Sequence, residues 1–222
     1  MAWLGVLLCV GAYLLGAFPT AYVVGRLVKG VDIRRYGTGN VGASNVWNSI
    51  APWAAVPVAA VDIGKAAFAA WLALGPFDLG YPWAVAVGLC AALGHAWSPY
   101  LRFTGGRGLA SIIGTLLVVF PLGGLIQVGM MVLGFLIKNE LLTTLTLLAM
   151  PLLSIAFGRP PAVTWGCVAM ILLTAVKRVE ANRTPLPSGR ERWTVIWRRL
   201  WLDRDVSSHK EWLARRPSDG KE

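Results

Sequence analysis

Acidic side chains are scarce in this sequence. Its 222 residues include 11 Asp and Glu against 21 Lys and Arg, a formal net charge of +10. Charged residues of both signs make up only 14%, where a soluble domain carries about a quarter. With 56% hydrophobic residues and a mean hydropathy of +0.59, that shortage excludes a disordered chain and a cytosolic enzyme. Cysteine is equally thin. Cys9, Cys90 and Cys167 stand isolated within apolar runs, which excludes a disulfide scaffold and a thiolate metal site. They are expected to be small core residues without partners. The two histidines, His95 and His209, are far apart, so no metal site is expected. A basic, apolar chain leaves two kinds of partner for its charge, anionic lipid head groups and anionic substrates.

Long apolar runs are what the sequence has in abundance. They cover residues 2–24, 52–74, 81–98, 109–120, 122–137, 141–157 and 162–176. Crossing a hydrocarbon core takes about 20 helical residues, and the first three runs come close to that length. The run 109–120 is too short alone, so it either borrows 105–108 or forms a half-span. Pro121-Leu-Gly-Gly124 reads as a break between two segments. The expectation is an all-α, polytopic membrane protein with seven transmembrane helices, or five if the last four runs merge. Seven spans place 19 of the 21 Lys and Arg on one side, in segments 26–51, 99–108, 138–140 and 177–222. The positive-inside rule makes that side cytoplasmic, with the N-terminus out and the C-terminus in. Trp3, Trp47, Trp53, Trp71, Trp83 and Trp97 fall near the expected span ends, where amphipathic rings are favoured. Residues 2–18 lack a basic leading region and do not read as a cleavable signal peptide. This makes the chain an integral protein of the plasma membrane, with its functional face in the cytoplasm.

Two polar islands on that face carry residue types suited to anion chemistry. The first, residues 26–45, packs Gly37, Gly39 and Gly42 among Thr38, Asn40, Ser44 and Asn45, with Arg34 and Arg35 just before. Glycines let main-chain N–H groups turn inward, hydroxyls and amides add donors, and arginine supplies charge and a bidentate fork. A tight loop that merely needs glycine is the plainer alternative. The second island runs from Gly94-His95 to Gly105-Gly106-Arg107-Gly108 and leads into an apolar helix. Its amides can bind phosphate at the helix N-terminus, although the spacing is not that of a nucleotide loop. His95 is either a packing residue or one that binds an anion or positions a hydroxyl. Asp62 and Lys65, three apart in the second run, share a helical face, as a structural ion pair or as substrate contacts.

These islands resemble those of the bacterial acyl-phosphate:glycerol-3-phosphate acyltransferases, integral membrane enzymes of early phospholipid synthesis. The resemblance rests on Gly16-Ala-Phe-Pro-Thr-Ala-Tyr-Val-Val-Gly-Arg26, Gly30-Val-Asp-Ile-Arg34 and Gly37-Thr-Gly-Asn-Val-Gly-Ala-Ser-Asn45. It continues through Asp62-Ile-Gly-Lys65, Gly94-His95 and Phe103-Thr-Gly-Gly-Arg-Gly108, and spans about residues 1–183. The resemblance implies seven spans, no cofactor, and transfer of a fatty acyl group from acyl phosphate to the 1-hydroxyl of glycerol 3-phosphate, giving lysophosphatidate and inorganic phosphate. It also implies that the first motif supplies a hydroxyl and an arginine, matched by Thr38 and Arg34, and that the second binds phosphate. Thr38 stands where the family has serine, and Arg107 where it has lysine. The last motif of the family begins Lys-His and has an Asn a few residues on. Here the stretch is Val176-Lys-Arg-Val-Glu-Ala-Asn182-Arg183, which lacks the histidine and aligns Asn182 with a one-residue shift.

The expected site therefore comprises Arg34, Thr38, Asn40 and His95 as catalytic residues. Ser44, Asn45, Lys65, Gly105, Gly106, Arg107, Gly108 and Asn182 are the expected substrate and phosphate contacts. A transporter of a phosphorylated or acidic solute, or a non-catalytic paralogue acting as a scaffold, would use similar residues. Residues 1–183 form the expected membrane-embedded acyltransferase domain, and 184–222 a basic cytoplasmic tail. In that tail Trp193, Ile196, Trp197, Leu200 and Trp201 recur at helical spacing, with Arg192, Arg198 and Arg199 mostly on the remaining surface. The pattern predicts an interfacial helix on anionic lipid, with His209 solvated and no nucleic acid as partner. Association with lipid-synthesis enzymes is the remaining partner expected of such a protein.

Overall fold

The computed structural model describes residues 1–181 and 185–206, and the regular structure among them is entirely helical. Asn182 and His209 lie outside the described residues. The helices are α1 (Ala2–Ala17), α2 (Thr20–Lys29), α3 (Ala43–Ser49), α4 (Pro52–Leu74), α5 (Gly80–Ala96), α6 (Leu109–Val119), α7 (Pro121–Leu136), α8 (Leu141–Ala156), α9 (Pro161–Glu180) and α10 (Glu191–Leu202). The paired stretch Ala2–Lys29, α4 and α9 are long and apolar enough to cross a membrane, and α6, α7 and α8 are shorter apolar helices.

Several boundaries differ from those the runs suggested, each for a local reason. The first run is two helices, because Pro19 lacks an N–H and holds Phe18 in an extended conformation (ψ 118°). Gly105–Gly108 does not extend the short run, since Gly108 sits at φ +80° and α6 begins only at Leu109. The next break falls between Phe120 and Pro121, not at the glycines. Gly123 and Gly124 are buried in the first turn of α7, against the Phe120 ring and the Leu117 main chain. α9 runs on to Glu180 and carries Lys177 and Arg178 inside the bundle rather than in a loop. Cys9 and Cys90, expected to be isolated, are neighbours across α1 and α5.

Helix α5 packs against α1, α4, α6 and α9. Gly5 of α1 faces Trp83 while Gly94 of α5 faces Tyr13, so α1 and α5 run parallel. Gly166 of α9 faces Val85, and Trp97 just after α5 bonds to Glu180, so α9 runs the same way. The C-terminal ends of α1, α5 and α9 therefore share one end of the bundle. Crossings close to backbone contact. A Cβ on Gly94 would lie 2.0 Å from Tyr13 O, and one on Gly114 would lie 2.1 Å from Ile63 O. Small buried residues line the core, among them Ala66, Ala69, Ala73, Ala84, Ala91 and Ala92. Large apolar side chains point outward, with Leu152 and Trp165 each 72% exposed. That inside-out distribution is what a lipid-embedded bundle needs, since packing rather than hydrophobic burial joins its helices.

The close crossings generate a test. Gly94→Ala should lower stability in detergent by about 2 kcal/mol or more, because backbone must move to admit the methyl group. Gly64→Ala, at an α4 position with nothing within 4 Å, should change it by under about 1 kcal/mol and in the stabilising direction. Equal thermal midpoints for the two variants would refute the packing.

Candidate functional site

The first island folds around one side chain. Asn45, fully buried, donates through Nδ2 to Ile33 O (3.2 Å), Tyr36 O (3.1 Å) and Asn40 O (2.9 Å). Its Oδ1 accepts from Thr38 N (3.4 Å) and Ser49 Oγ (3.0 Å). Asn45 thus holds the loop together and has no atom left for a ligand. Ser44 is exposed on α3, and the loop turns its neighbours the other way. Thr38 Oγ1 accepts Asn40 N–H at 3.2 Å, and nothing among the described residues accepts its own proton. Asn40 Oδ1 is buried with no donor facing it. Within the loop these two groups have no protein partner among the described residues.

Arg34 ties the islands together rather than standing free. Its guanidinium meets Asp32 through Nη2–Oδ2 at 2.7 Å and Nε–Oδ1 at 3.0 Å, and its Cζ lies over the Tyr22 ring, 5.3 Å from the centre. Its Nη1 reaches Leu101 O and Thr104 Oγ1 of the second island, both at 3.4 Å. The Asp32 hydrogen bonds raise the pKa of Arg34 above its ordinary value against the opposing effect of burial. For Asp32, burial pushes the carboxyl up, but the hydrogen bonds and charge of Arg34 outweigh it and hold the group below the usual carboxylate value.

The second island is built against His95. Gly106 N–H donates to His95 O at 2.9 Å. A Cβ on Gly106 would lie 2.0 Å from His95 Nε2, and one on Gly105 would lie 2.3 Å from His95 O, so both positions admit only glycine. Gly108, in the left-handed region, turns the chain into α6. His95 Nδ1 lies 3.9 Å from Asp62 Oδ1. That carboxylate also takes Lys65 Nζ at 2.8 Å and Thr20 Oγ1 at 2.9 Å. Lys65 completes its three bonds with Phe18 O (2.6 Å) and Thr20 Oγ1 (2.5 Å). All three N–H donors of the ammonium thus meet acceptors within the protein. A small cavity bounded by Thr20, Val41, Asp62, His95, Ser98 and Gly105 joins this cluster to the first island.

Arg107 points away from that cavity, toward the end of α9. Its Nη1 donates to Lys177 O at 3.0 Å, and Asp203 Oδ1 lies 2.9 Å from its Nε. Lys177, fully buried, sits 4.9 Å over the Trp97 ring and 3.3 Å from Glu180 Oε2. Arg178, beside it, is also buried. Arg107, Lys177 and Arg178 thus form a cationic cluster at the shared end of α5, α6 and α9. Sequence reasoning left Thr20, Asp62, Ser98 and Lys177 outside the expected site. For Asp62 a signal existed, since a charge inside an apolar run must be paired or functional, whereas Lys177 falls just past the run 162–176. Thr20 and Ser98 carry no such mark. Among the described residues no three His, Cys, Asp or Glu side chains gather as metal ligands.

The Asp32–Arg34 pair predicts a sign of pH dependence. Its stabilisation is fully present above the unfolded Asp value of 3.8 and is lost as pH falls through the lower folded value. The stability gap between wild type and Asp32→Asn should therefore hold at about pH 5–7 and close below about pH 4, in thermal unfolding across that range.

The family model for glycerol-3-phosphate acyltransferase matches residues 6–185. Glycerol-3-phosphate acyltransferase 4 of Dehalococcoides mccartyi strain CBDB1 is 35% identical, over 95% of this chain and 93% of its own length. The enzyme of that name from Halalkalibacterium halodurans is 35% identical over 85% and 94%. The crystal structure of PlsY (YgiH), an integral membrane glycerol 3-phosphate acyltransferase, in its glycerol 3-phosphate form superposes with a TM-score of 0.74. That match has 27% identity and covers 95% of this chain and 99% of the other. The lysophosphatidic acid form gives a TM-score of 0.73 at 26% identity. On the match over residues 6–185, supported by these relatives, the chain belongs to the glycerol-3-phosphate acyltransferase family.

Proposed function

We propose that this protein transfers a fatty acyl group from acyl phosphate to the 1-hydroxyl of glycerol 3-phosphate, releasing lysophosphatidate and inorganic phosphate in phospholipid synthesis. The observation that carries the reading is the convergence, at one end of an integral membrane bundle, of the family's glycine strand, His95 and a buried cationic cluster. Both substrates are phosphates, so the site needs anion pockets as much as it needs a base. The hydroxyl oxygen attacks the acyl carbonyl carbon, the carbon–oxygen bond to phosphate breaks, and the departing phosphate takes the proton. Because the donor is already activated, the protein acts by positioning and by stabilising developing negative charge. Arg107 supplies charge to one phosphate. Thr38 and Asn40, whose free hydroxyl proton and unpaired carbonyl flank the glycine turn, orient the polar end of the acceptor. His95, fixed by Gly105 and Gly106, orients groups within the cavity. A solute path across the bilayer has less support, since Lys65, Asp62 and Thr20 satisfy one another at one level.

The same reading includes the topology. Seven passes, with the N-terminus out and the C-terminus in, put both islands and the cationic cluster in the cytoplasm. The concentration of 19 of 21 Lys and Arg on that side supports it. The parallel run of α1, α5 and α9 is consistent with an odd number of passes between them. Helix α10 lies on the cytoplasmic leaflet, with Trp193 and Trp197 facing out, 72% and 63% exposed. Arg199 departs from the surface expected of it. It is buried, donates to Val179 O at 2.7 Å and pairs with Asp205, so it fastens α10 to α9.

Two experiments test these proposals. Purified protein with palmitoyl phosphate and labelled glycerol 3-phosphate should yield lysophosphatidate, and Arg107→Ala should lower kcat/KM about 100-fold. Product no higher than a heat-killed control, across several acyl donors, overturns the activity. For topology, single cysteines at Asp78 and at Ser44 in a cysteine-free background should differ. An impermeant thiol reagent should label the first in intact cells and the second only after permeabilisation, and the reverse pattern inverts the orientation.

A further inference from the structure

The tail helix puts a carboxylate into the cationic cluster. Asp203 follows α10 in the left-handed conformation, with φ +51°. Its Oδ1 lies 2.9 Å from Arg107 Nε and 3.8 Å from Arg178 Nε, and these arginine side chains are only 11% and 7% exposed. Yet Arg107 Nε, Arg178 Nε and Asp203 Oδ1 are all buried without an aligned hydrogen-bond partner. The carboxylate neutralises charge while leaving two inward N–H donors unmet. Other bonds hold the two forks in place. Arg107 Nη1 donates to Lys177 O at 3.0 Å, and Arg178 Nη1 donates to Thr144 Oγ1 at 2.9 Å and to Leu200 O at 2.6 Å.

A planar carboxylate presents its oxygens in one plane, which suits one guanidinium edge at a time. A tetrahedral phosphate presents oxygens in several directions and meets two non-parallel edges together. We propose that Arg178 is a further phosphate-binding residue, and that Asp203 is an internal anion holding the Arg107–Arg178 site until a substrate phosphate displaces it. The proposal rests on the phosphate role given to Arg107 above and deepens it by naming a second ligand and a built-in competitor. The ligand class is a phosphate monoester or acyl phosphate dianion, and inorganic phosphate is its smallest member. Displacement does not require the tail to leave, because Arg199 fastens α10 through Val179 O while Asp203 lies beyond the helix end.

The test measures inorganic phosphate binding to the full chain in detergent by titration calorimetry. Asp203→Asn and Asp203→Ala should each bind phosphate about tenfold tighter than wild type, and adding Arg178→Met to Asp203→Asn should remove the gain. In the wild type itself, saturating phosphate should raise deuterium uptake over residues 203–206, which needs no substitution to fold. Phosphate binding no tighter in either Asp203 variant, a gain that survives Arg178→Met, or uptake unchanged by phosphate overturns the proposal. Acyl transfer assayed beside these measurements separates the two claims. Absent transfer with the expected phosphate behaviour refutes the activity alone, and transfer without that behaviour refutes the Asp203 competition alone.

Discussion

A cation buried in a membrane domain must find its acceptors inside the protein, and the way Lys65 does so organises the functional end. Its three N–H donors meet Phe18 O, Thr20 Oγ1 and Asp62 Oδ1. Two of those acceptors exist because Pro19 breaks the first apolar run and turns the end of α1 toward α4. Leaving such a cation unpaired would cost about 3–5 kcal/mol, so the break and the charge depend on each other. Together they set the end of α1 level with the middle of α4, and Asp62 carries that level to His95. The glycine strand then closes on His95, and Ser98 Oγ ties the end of α5 to Ala17 O at 2.6 Å. The site is assembled on helix ends, with loops held by single buried side chains.

The candidate site was partly legible in the sequence. Clustered glycines, amides and arginines identified both islands, because few structures other than an anion site or a tight loop use that composition. Composition does not say which polar atoms are already satisfied. Asn45 and Lys65 have the right chemistry for phosphate, yet the fold uses every donor they possess. Arg34 likewise meets Asp32 two residues before it and spans to the second island. By contrast Thr38, Asn40 and Arg107 keep capacity for a ligand. Saturation depends on partners up to 70 positions away, as for Arg34 with Thr104, and local patterns hold no record of them.

The charge excess divides between two tasks. In the membrane domain part of it is buried or half-buried, on Arg34, Lys65, Arg107, Lys177 and Arg178, each facing a carboxylate or main-chain oxygen, while Arg26, Lys29, Arg35 and Arg102 are exposed. In the tail, helical spacing of tryptophans announced an amphipathic helix, and the helix forms. The spacing assigned Arg199 to the outer face because residues between apolar positions usually lie there. The fold turns it inward instead, since unpaired carbonyl oxygen at the end of α9 offers it an acceptor.

By itself the sequence determined that this is an all-helical membrane chain with an excess of positive charge and two anion-suited islands. Those properties follow from run length, charge placement and residue type, which are local. Tertiary structure decided where the first run breaks, which cations are satisfied and which stay available, and that the tail's Asp203 meets Arg107 and Arg178. Those outcomes depend on distances between residues remote in the chain. Close glycine crossings set such distances, and the need of every buried charge for a counterpart then selects the partners.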